Sequence, residues 1–212
     1  MASIRVERYV VGPVQTNCYF VINEDTKEMI CIDPGDSGEL LAQKAKEEGW
    51  TPRTRLLTHG HFDHVGGAEA MAASLEQRPL RYILEAEKQT LQDPEMNAGW
   101  MIGKQEVYLA DVFLKDGQML TLCGLQIIVI ATPGHTPGGC SYYFPEESML
   151  FSGDSLFRSS VGRTDFKGGS MQQLIDAVKT RLLTLPEETE VCPGHGEMTT
   201  IGYEKKHNFF IQ

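Results

Sequence analysis

The chain has 212 residues, 41% of them hydrophobic, and its 19 Lys and Arg stand against 29 Asp and Glu for a formal net charge of −10. That length suits one α/β domain over residues 1–212, with ample chain for a core between two sheets. The acidic balance opposes binding to nucleic acid or an anionic membrane, no apolar run could span a bilayer, and Met1–Arg8 lacks the apolar stretch of a leader, so a cytoplasmic protein is expected.

Ile4–Val10, Asn17–Asn23 and Glu28–Ile32 read as strands, with Asn23-Glu24-Asp25 turning between the last two, which predicts an opening β-meander. Ser37–Glu48 puts Leu40, Leu41 and Ala45 on one face and charge elsewhere, the pattern of a capped amphipathic helix ended by Gly49-Trp50-Thr51-Pro52. Arg53–Leu57 predicts a short buried strand, Ala68–Leu75 a helix, Leu80–Leu84 a strand and Ala86–Leu91 a short helix, a β, α alternation. Asp93–Phe113 carries Met96, Gly99, Trp100, Met101, Gly103 and Tyr108 without a clean period. It predicts a loop-rich flap that either walls a substrate site or only covers the core. Strands return at Met119–Leu122, Leu125–Ala131, Gly139–Phe144 and Ser148–Ser152 as a second sheet. Met171–Leu183 then forms a helix with Leu174, Ile175, Val178 and Leu182 on its packing side, and Glu190–Cys192 a last short strand. Cys18, Cys31, Cys123, Cys140 and Cys192 are odd in number and set in apolar surroundings, which suggests reduced core thiols. Cys192, although close to His195, reads as a buried strand-end thiol rather than a ligand.

Between the fourth strand and its helix lies Leu56-Leu57-Thr58-His59-Gly60-His61-Phe62-Asp63-His64-Val65-Gly66-Gly67, where an apolar run gives way to four metal-ligand side chains. In an extended segment alternate side chains share a face, so His59 and His61 can aim at one ion while Asp63 and His64, past a bend, reach a neighbouring one. Imidazole suits zinc and other borderline ions, and carboxylate tolerates harder ones, so zinc is favoured with iron or manganese as alternatives. Downstream, His135 in Thr132-Pro-Gly-His-Thr-Pro-Gly138, Asp154 in Phe151-Ser-Gly-Asp-Ser-Leu156 and His195 in Cys192-Pro-Gly-His-Gly196 each follow an apolar run. Singly, such turns usually mean only a tight reversal. Together with the His59–His64 loop they gather five of the six histidines, leaving His207 as an expected solvated side chain. Gly60, Gly66, Gly67, Gly134, Gly153, Gly194 and Gly196 all neighbour a candidate ligand, and their missing Cβ atoms would let the loops converge.

T-H-x-H-x-D-H, then G-H-T-P-G, G-D-S-L-F and P-G-H-G, spread over nearly the whole chain, resemble the metallo-β-lactamase fold superfamily in its glyoxalase II-like branch. The resemblance implies a four-layer αββα sandwich, two mixed sheets flanked by helices. It implies one metal held by His59, His61 and His135, a second by Asp63, His64 and His195, and Asp154 bridging both. In the same pattern Asp33 of Ile32-Asp33-Pro34-Gly35 supports the ligands from behind, although an Asp-Pro-Gly turn closing a strand is an equally good reading. Phe157-Arg158, Gly162-Arg163-Thr164-Asp165-Phe166 and Thr199-Thr200-Ile201-Gly202-Tyr203-Glu204 are similar to short hydroxyacylglutathione hydrolase-like proteins. The helical domain that follows the hydrolase domain in full-length glyoxalase II has no counterpart after His195, so its glutathione contacts do not carry over.

Two divalent cations sharing a water lower its pKa toward neutrality, which suits attack on an electrophilic carbonyl, with Asp63 orienting the water or accepting its proton. A thiol leaving group, pKa about 8.5, departs as thiolate without a dedicated acid, so a thioester suits the site better than an amide. The resemblance implies hydrolysis of an S-2-hydroxyacyl-glutathione to glutathione and a 2-hydroxy acid. The expected partner is therefore a small-molecule thioester, with no nucleic acid and no membrane; no feature sets an oligomeric state. Arg158, Arg163, Lys167, Lys205 and Lys206 could meet the anionic carrier, and Arg163, soon after Asp154, is the foremost candidate. The alternatives are a lactonase or esterase of the same fold, or a persulfide dioxygenase holding one iron through His59, His135 and Asp154.

Overall fold

A computed structural model describes residues 3–212. Two six-stranded sheets pack face to face with helices on both outer surfaces, the four-layer αββα arrangement expected. The first sheet has the order β1 (Ile4–Val11), β2 (Thr16–Asn23), β3 (Glu28–Ile32), β4 (Thr51–Leu56), β5 (Leu80–Leu84), β6 (Val112–Leu114). Its first three strands form the antiparallel meander; β3 to β6 run parallel. Parallel neighbours need crossovers. These are α1 (Gly38–Glu47), then α2 (Phe62–Val65) with α3 (Ala68–Ala73), then α4 (Lys88–Gln92) with the flap.

The second sheet contains β7 (Met119–Leu122), β8 (Leu125–Ala131), β9 (Cys140–Phe144), β10 (Met149–Gly153), β13 (Glu190–Pro193) and β14 (Thr199–Thr200). It is antiparallel except where β10 and β13 lie parallel. A small ribbon of β11 (Leu156–Phe157) and β12 (Ser160–Val161), and the helices α5 (Met171–Ala177) and α6 (Ile201–His207), complete the chain. The ribbon, β14 and α6 lie in stretches that carry no clear hydrophobic period.

The period-2 pattern of the strands sorts their side chains between layers. Tyr19, Val21, Ile30, Ile32 and Leu56 face Ile127, Val129, Tyr142, Phe144 and Phe151 between the sheets. Phe20, Ile22, Met29 and Cys31 face outward onto Leu41, Ala42, Ala45 and Met71 of α1 and α3. On the other side Ile130, Tyr143, Leu150 and Val191 meet Leu174, Val178, Leu182 and Ile201. With both faces covered, every residue of β2 is buried. All five cysteines are buried and free.

Three expectations need correction. Leu40 is 66% exposed, because the buried stripe of α1 runs through Gly38, Leu41, Ala42 and Ala45. Ser37 begins that helix in a left-handed conformation without a side-chain cap. The helix at Met171 stays α-helical to Ala177 and widens into π turns over Val178–Leu182. The flap is loop-rich, as expected, with one 3-10 turn at Gly99–Ile102 and β6 at its end. Its Tyr108 is buried, whereas Trp100, Met101 and Ile102 are exposed.

Candidate metal centre

The strands β4, β8, β10 and β13 end on one side of the sandwich, and the loops leaving those ends carry His59–His64, His135, Asp154 and His195. Strand polarity thus gathers onto one edge seven side chains that the sequence spreads over 137 positions. Five backbone and side-chain bonds lock the edge. Cys140 N donates to Thr58 O at 2.9 Å, Tyr142 Oη to Leu57 O at 2.7 Å, and Asn17 N to Gly194 O at 2.7 Å. Asn17 Nδ2 and Tyr19 Oη both donate to Pro193 O, at 2.9 and 2.8 Å.

His59 Nε2 lies 3.1 Å and His135 Nε2 2.9 Å from His61 Nδ1. On the other side, Asp63 Oδ2 is 3.4 Å from His64 Nε2 and 3.3 Å from His195 Nε2. Asp154 stands between the sets, with Oδ2 3.4 Å from His135 Nε2 and 3.5 Å from His195 Nε2, and Oδ1 3.4 Å from His64 Nε2. Tetrahedral coordination with bonds of about 2.0–2.1 Å places ligand atoms about 3.3–3.4 Å apart, and most of these spacings fall close to that. Buried polar atoms ordinarily find a hydrogen-bond partner. His64 Nε2 and Asp154 Oδ1 do not, although both are enclosed. A cation between the donors accounts for both the spacing and the missing partners.

The electrostatics point the same way. Burial, then the adjacent His135, pushes the His61 imidazolium down to about 3, so this nitrogen is a neutral donor. Burial opposes the charge of Asp154, yet His64 and the other imidazoles outweigh it and draw its carboxyl down to about 2. His64 is pulled the opposite way: burial lowers it, but Asp63, Asp154 and Asp33 together raise it well above its usual range. Three carboxylates around one imidazole leave negative charge that a divalent cation would balance.

Asp33 accepts from His64 Nδ1 at 2.9 Å, from Thr58 Oγ1 at 2.6 Å and from Thr58 N at 2.8 Å. It thereby presents His64 Nε2 to the centre, and its φ of +50° shows that it also makes the tight turn. Gly194 has no room for a side chain, since a Cβ there would overlap Asp154 Oδ1 and come within 2.7 Å of His64 Cε1. Gly196 differs: nothing crowds it, and its φ of +77° is what favours glycine.

Arg163 lies at the rim with its side chain 56% exposed. Its guanidinium clamps Asp165 through two bonds of 2.6 Å and sits 4.3 Å over the Phe166 ring, which meets His61 at 5.1 Å. Its carbonyl also accepts the Nδ1–H of His135 at 2.6 Å, a contact no side-chain motif could announce. Arg158, Lys167, Lys205 and Lys206 are each engaged with carboxylates. His207 is exposed, as expected. No sequence motif marks Thr16, Asn17 or Glu87, yet Thr16 Oγ1 donates to Asp63 Oδ2 at 2.8 Å and Glu87 Oε1 accepts from Gly60 N at 3.0 Å.

This edge-on cluster of His and Asp donors over an αββα sandwich defines a class, and residues 11–195 match the Metallo-beta-lactamase superfamily, to which the chain belongs. Among its relatives is the "probable metallo-hydrolase YqgX" of Bacillus subtilis (strain 168), 38% identical over 206 residues and 96% of each chain. The hydroxyacylglutathione hydrolase GloC of Haemophilus influenzae is 34% identical over 98% of each chain. Among solved structures, the BLEG-1 B3 metallo-beta-lactamase superposes with a TM-score of 0.92 at 40% identity, covering 98% of this chain and 99% of that one. TTHA1623 in a di-iron-bound form gives 0.84 at 36% identity, over 96% and 99%. The chain is a metallo-hydrolase of that superfamily. Among the described residues no helix is long and apolar enough to cross a membrane.

Proposed function

We propose that the chain is a thioesterase of the hydroxyacylglutathione hydrolase type, cleaving an S-2-hydroxyacyl-glutathione to glutathione and a 2-hydroxy acid with two divalent cations. His59, His61 and His135 would hold one cation, Asp63, His64 and His195 the other, and Asp154 would lie between them. When bound, such a pair supplies Lewis acidity toward a carbonyl oxygen and lowers the pKa of a shared water. Zinc suits the imidazole-rich set, with iron or manganese as alternatives; a di-iron-bound relative supports keeping iron among them.

The protein's own groups then have distinct tasks. Asp63 Oδ2 is held by Thr16, which leaves Oδ1 to orient the attacking water and take its proton. Phe166 against His61 and Phe157 against His195, at 5.1 and 6.1 Å, wall the two sides of the centre and limit bulk water. Arg163, exposed at the rim, would meet an anionic carrier on release from Asp165.

The observation that carries the thioester reading is that Asp33, Asp63 and Asp154 are each committed to imidazoles. Among the described residues no carboxyl group beyond Asp63, which serves the attacking water, is set apart to protonate a leaving group, and a thiolate needs none. The kinship with GloC supports the same substrate class. The likeness to BLEG-1 favours a second reading, opening of a β-lactam amide. Thiol release from a panel of acyl-glutathiones, beside lactones and β-lactams, with metal content and oxygen uptake recorded, separates these. Turnover of acyl-glutathiones with about two metals per chain is expected. Hydrolysis confined to β-lactams or lactones, or persulfide-dependent oxygen uptake with one iron, would overturn the thioesterase reading.

A further inference from the structure

We infer that Glu87 is a positioning residue that couples the loop carrying His59 and His61 to the loop carrying His135, so that these three imidazoles meet a cation as one prearranged set. The inference rests on the two-cation reading and goes beyond it, because Glu87 touches none of the donors. It closes a single 3-10 turn, Glu85–Glu87, at the end of β5, and its side chain is fully buried. Oε1 accepts the N–H of Gly60, the residue between His59 and His61, at 3.0 Å. Oε2 accepts the N–H of Gly138, three residues past His135, at 2.7 Å. One carboxylate therefore joins a loop from the first sheet to a loop from the second.

Burying a carboxylate away from any cation is costly, and Glu87 has no ion-pair partner among the described residues. Such a group persists where its oxygens are fully used. Here each oxygen is used by one glycine N–H, and the buried hydroxyls of Thr90 and Thr136, which meet no hydrogen-bond partner, lie close to the same carboxylate. The packing is close as well: a Cβ on Gly138 would overlap the Ala86–Glu87 peptide, and one on Gly60 would lie 3.1 Å from Leu91 N. The other donor set is braced differently. Asp63 is held by Thr16, His64 by Asp33, and the His195 loop by Asn17 and Tyr19, none of which contacts Glu87. Loss of Glu87 should thus be felt by one cation and not its neighbour.

Glu87→Gln keeps the shape but turns an amide N–H₂ toward one of the two glycine N–H groups, breaking one strap. Titration of metal-free protein with cobalt(II) alone, against a chromophoric chelator, reads two binding steps, and the visible spectrum reports the geometry of each. Expected is a 10- to 100-fold weakening of one step, with a changed spectrum, while the other step and the thermal melt of the loaded protein stay close to wild type. Two unchanged steps, or two steps weakened equally, would overturn the inference. If Glu87→Gln does not fold, Glu87→Asp, too short to reach Gly60 and Gly138 at once, is judged by the same two outcomes. Failure to hydrolyse thioesters would sink the substrate reading and leave this titration intact.

Discussion

Thr16 and Asp63 are 47 residues apart, yet the hydroxyl of the first donates to Oδ2 of the second at 2.8 Å. Thr16 also bridges to His195 through its backbone at the first residue of β2. One residue of the meander therefore touches two of the donors, and it fixes which oxygen of Asp63 is free. Thr16→Val preserves shape and strand propensity and deletes only the hydroxyl. A hydrogen bond to a charged group is worth about 1.5–3 kcal/mol of stability, so the melting temperature should drop, and kcat should fall as Asp63 loses its fixed orientation. An unaltered kcat in a steady-state assay would remove Thr16 from the machinery.

Asp33 offers a cleaner test on metal retention than on rate. Asn tolerates the left-handed backbone that Asp33 adopts, so Asp33→Asn isolates the loss of the acceptor behind His64. Cation affinity should drop about 10- to 100-fold, as measured by chelator competition. Retention at wild-type affinity would make Asp33 only a turn residue.

These residues show where reading the sequence succeeds and where it stops. His59, His61, Asp63 and His64 were legible because metal chemistry admits few residue types and the spacing of the loop reveals their direction. Strands such as Leu80–Leu84 were legible because burial imposes a local period, here with matching bounds. Thr16 and Glu87 were not, since a threonine in a strand and a glutamate before a helix are unremarkable until a partner from elsewhere arrives. For Asn17 that partner, Pro193, lies 176 positions away. Leu40 misled for the reverse reason: a leucine beside the buried stripe of α1 satisfies the pattern without being covered.

Gly194 sets a steric limit on the centre. Gly194→Ala drives a methyl group into Asp154 and toward His64. Overpacking of this kind costs about 1–3 kcal/mol, and because Asp154 faces both donor sets, uptake of both cations should suffer. Calorimetry with metal analysis would check it; two tightly held cations in the variant would contradict the geometry.

For Arg163 the expected signature is selective. Arg163→Ala should raise KM for an acyl-glutathione more than for an uncharged thioester, read from parallel kinetics. Equal changes would mean that the side chain serves Asp165 and Phe166 alone, with the His135 contact carried by the backbone.

Removing the cations should destabilise the fold, because Asp33, Asp63 and Asp154 then crowd His64 without compensation. Saturating zinc at about 100 times its dissociation constant contributes about 2.7 kcal/mol. The metal-free protein should melt at lower temperature in differential scanning calorimetry, and coincident melts would argue against tight binding.

Strand polarity also dictates when the centre can come into being. A chain still emerging from the ribosome presents four donors on the loop after β4, but the remaining three belong to the second sheet, the last of them only two residues beyond Pro193. Zinc retention by ribosome-stalled chains of increasing length should therefore rise only once Gly196 has left the exit tunnel. Metallation must then wait for the second sheet, and truncation anywhere ahead of His195 would leave a protein short of a donor for the second cation.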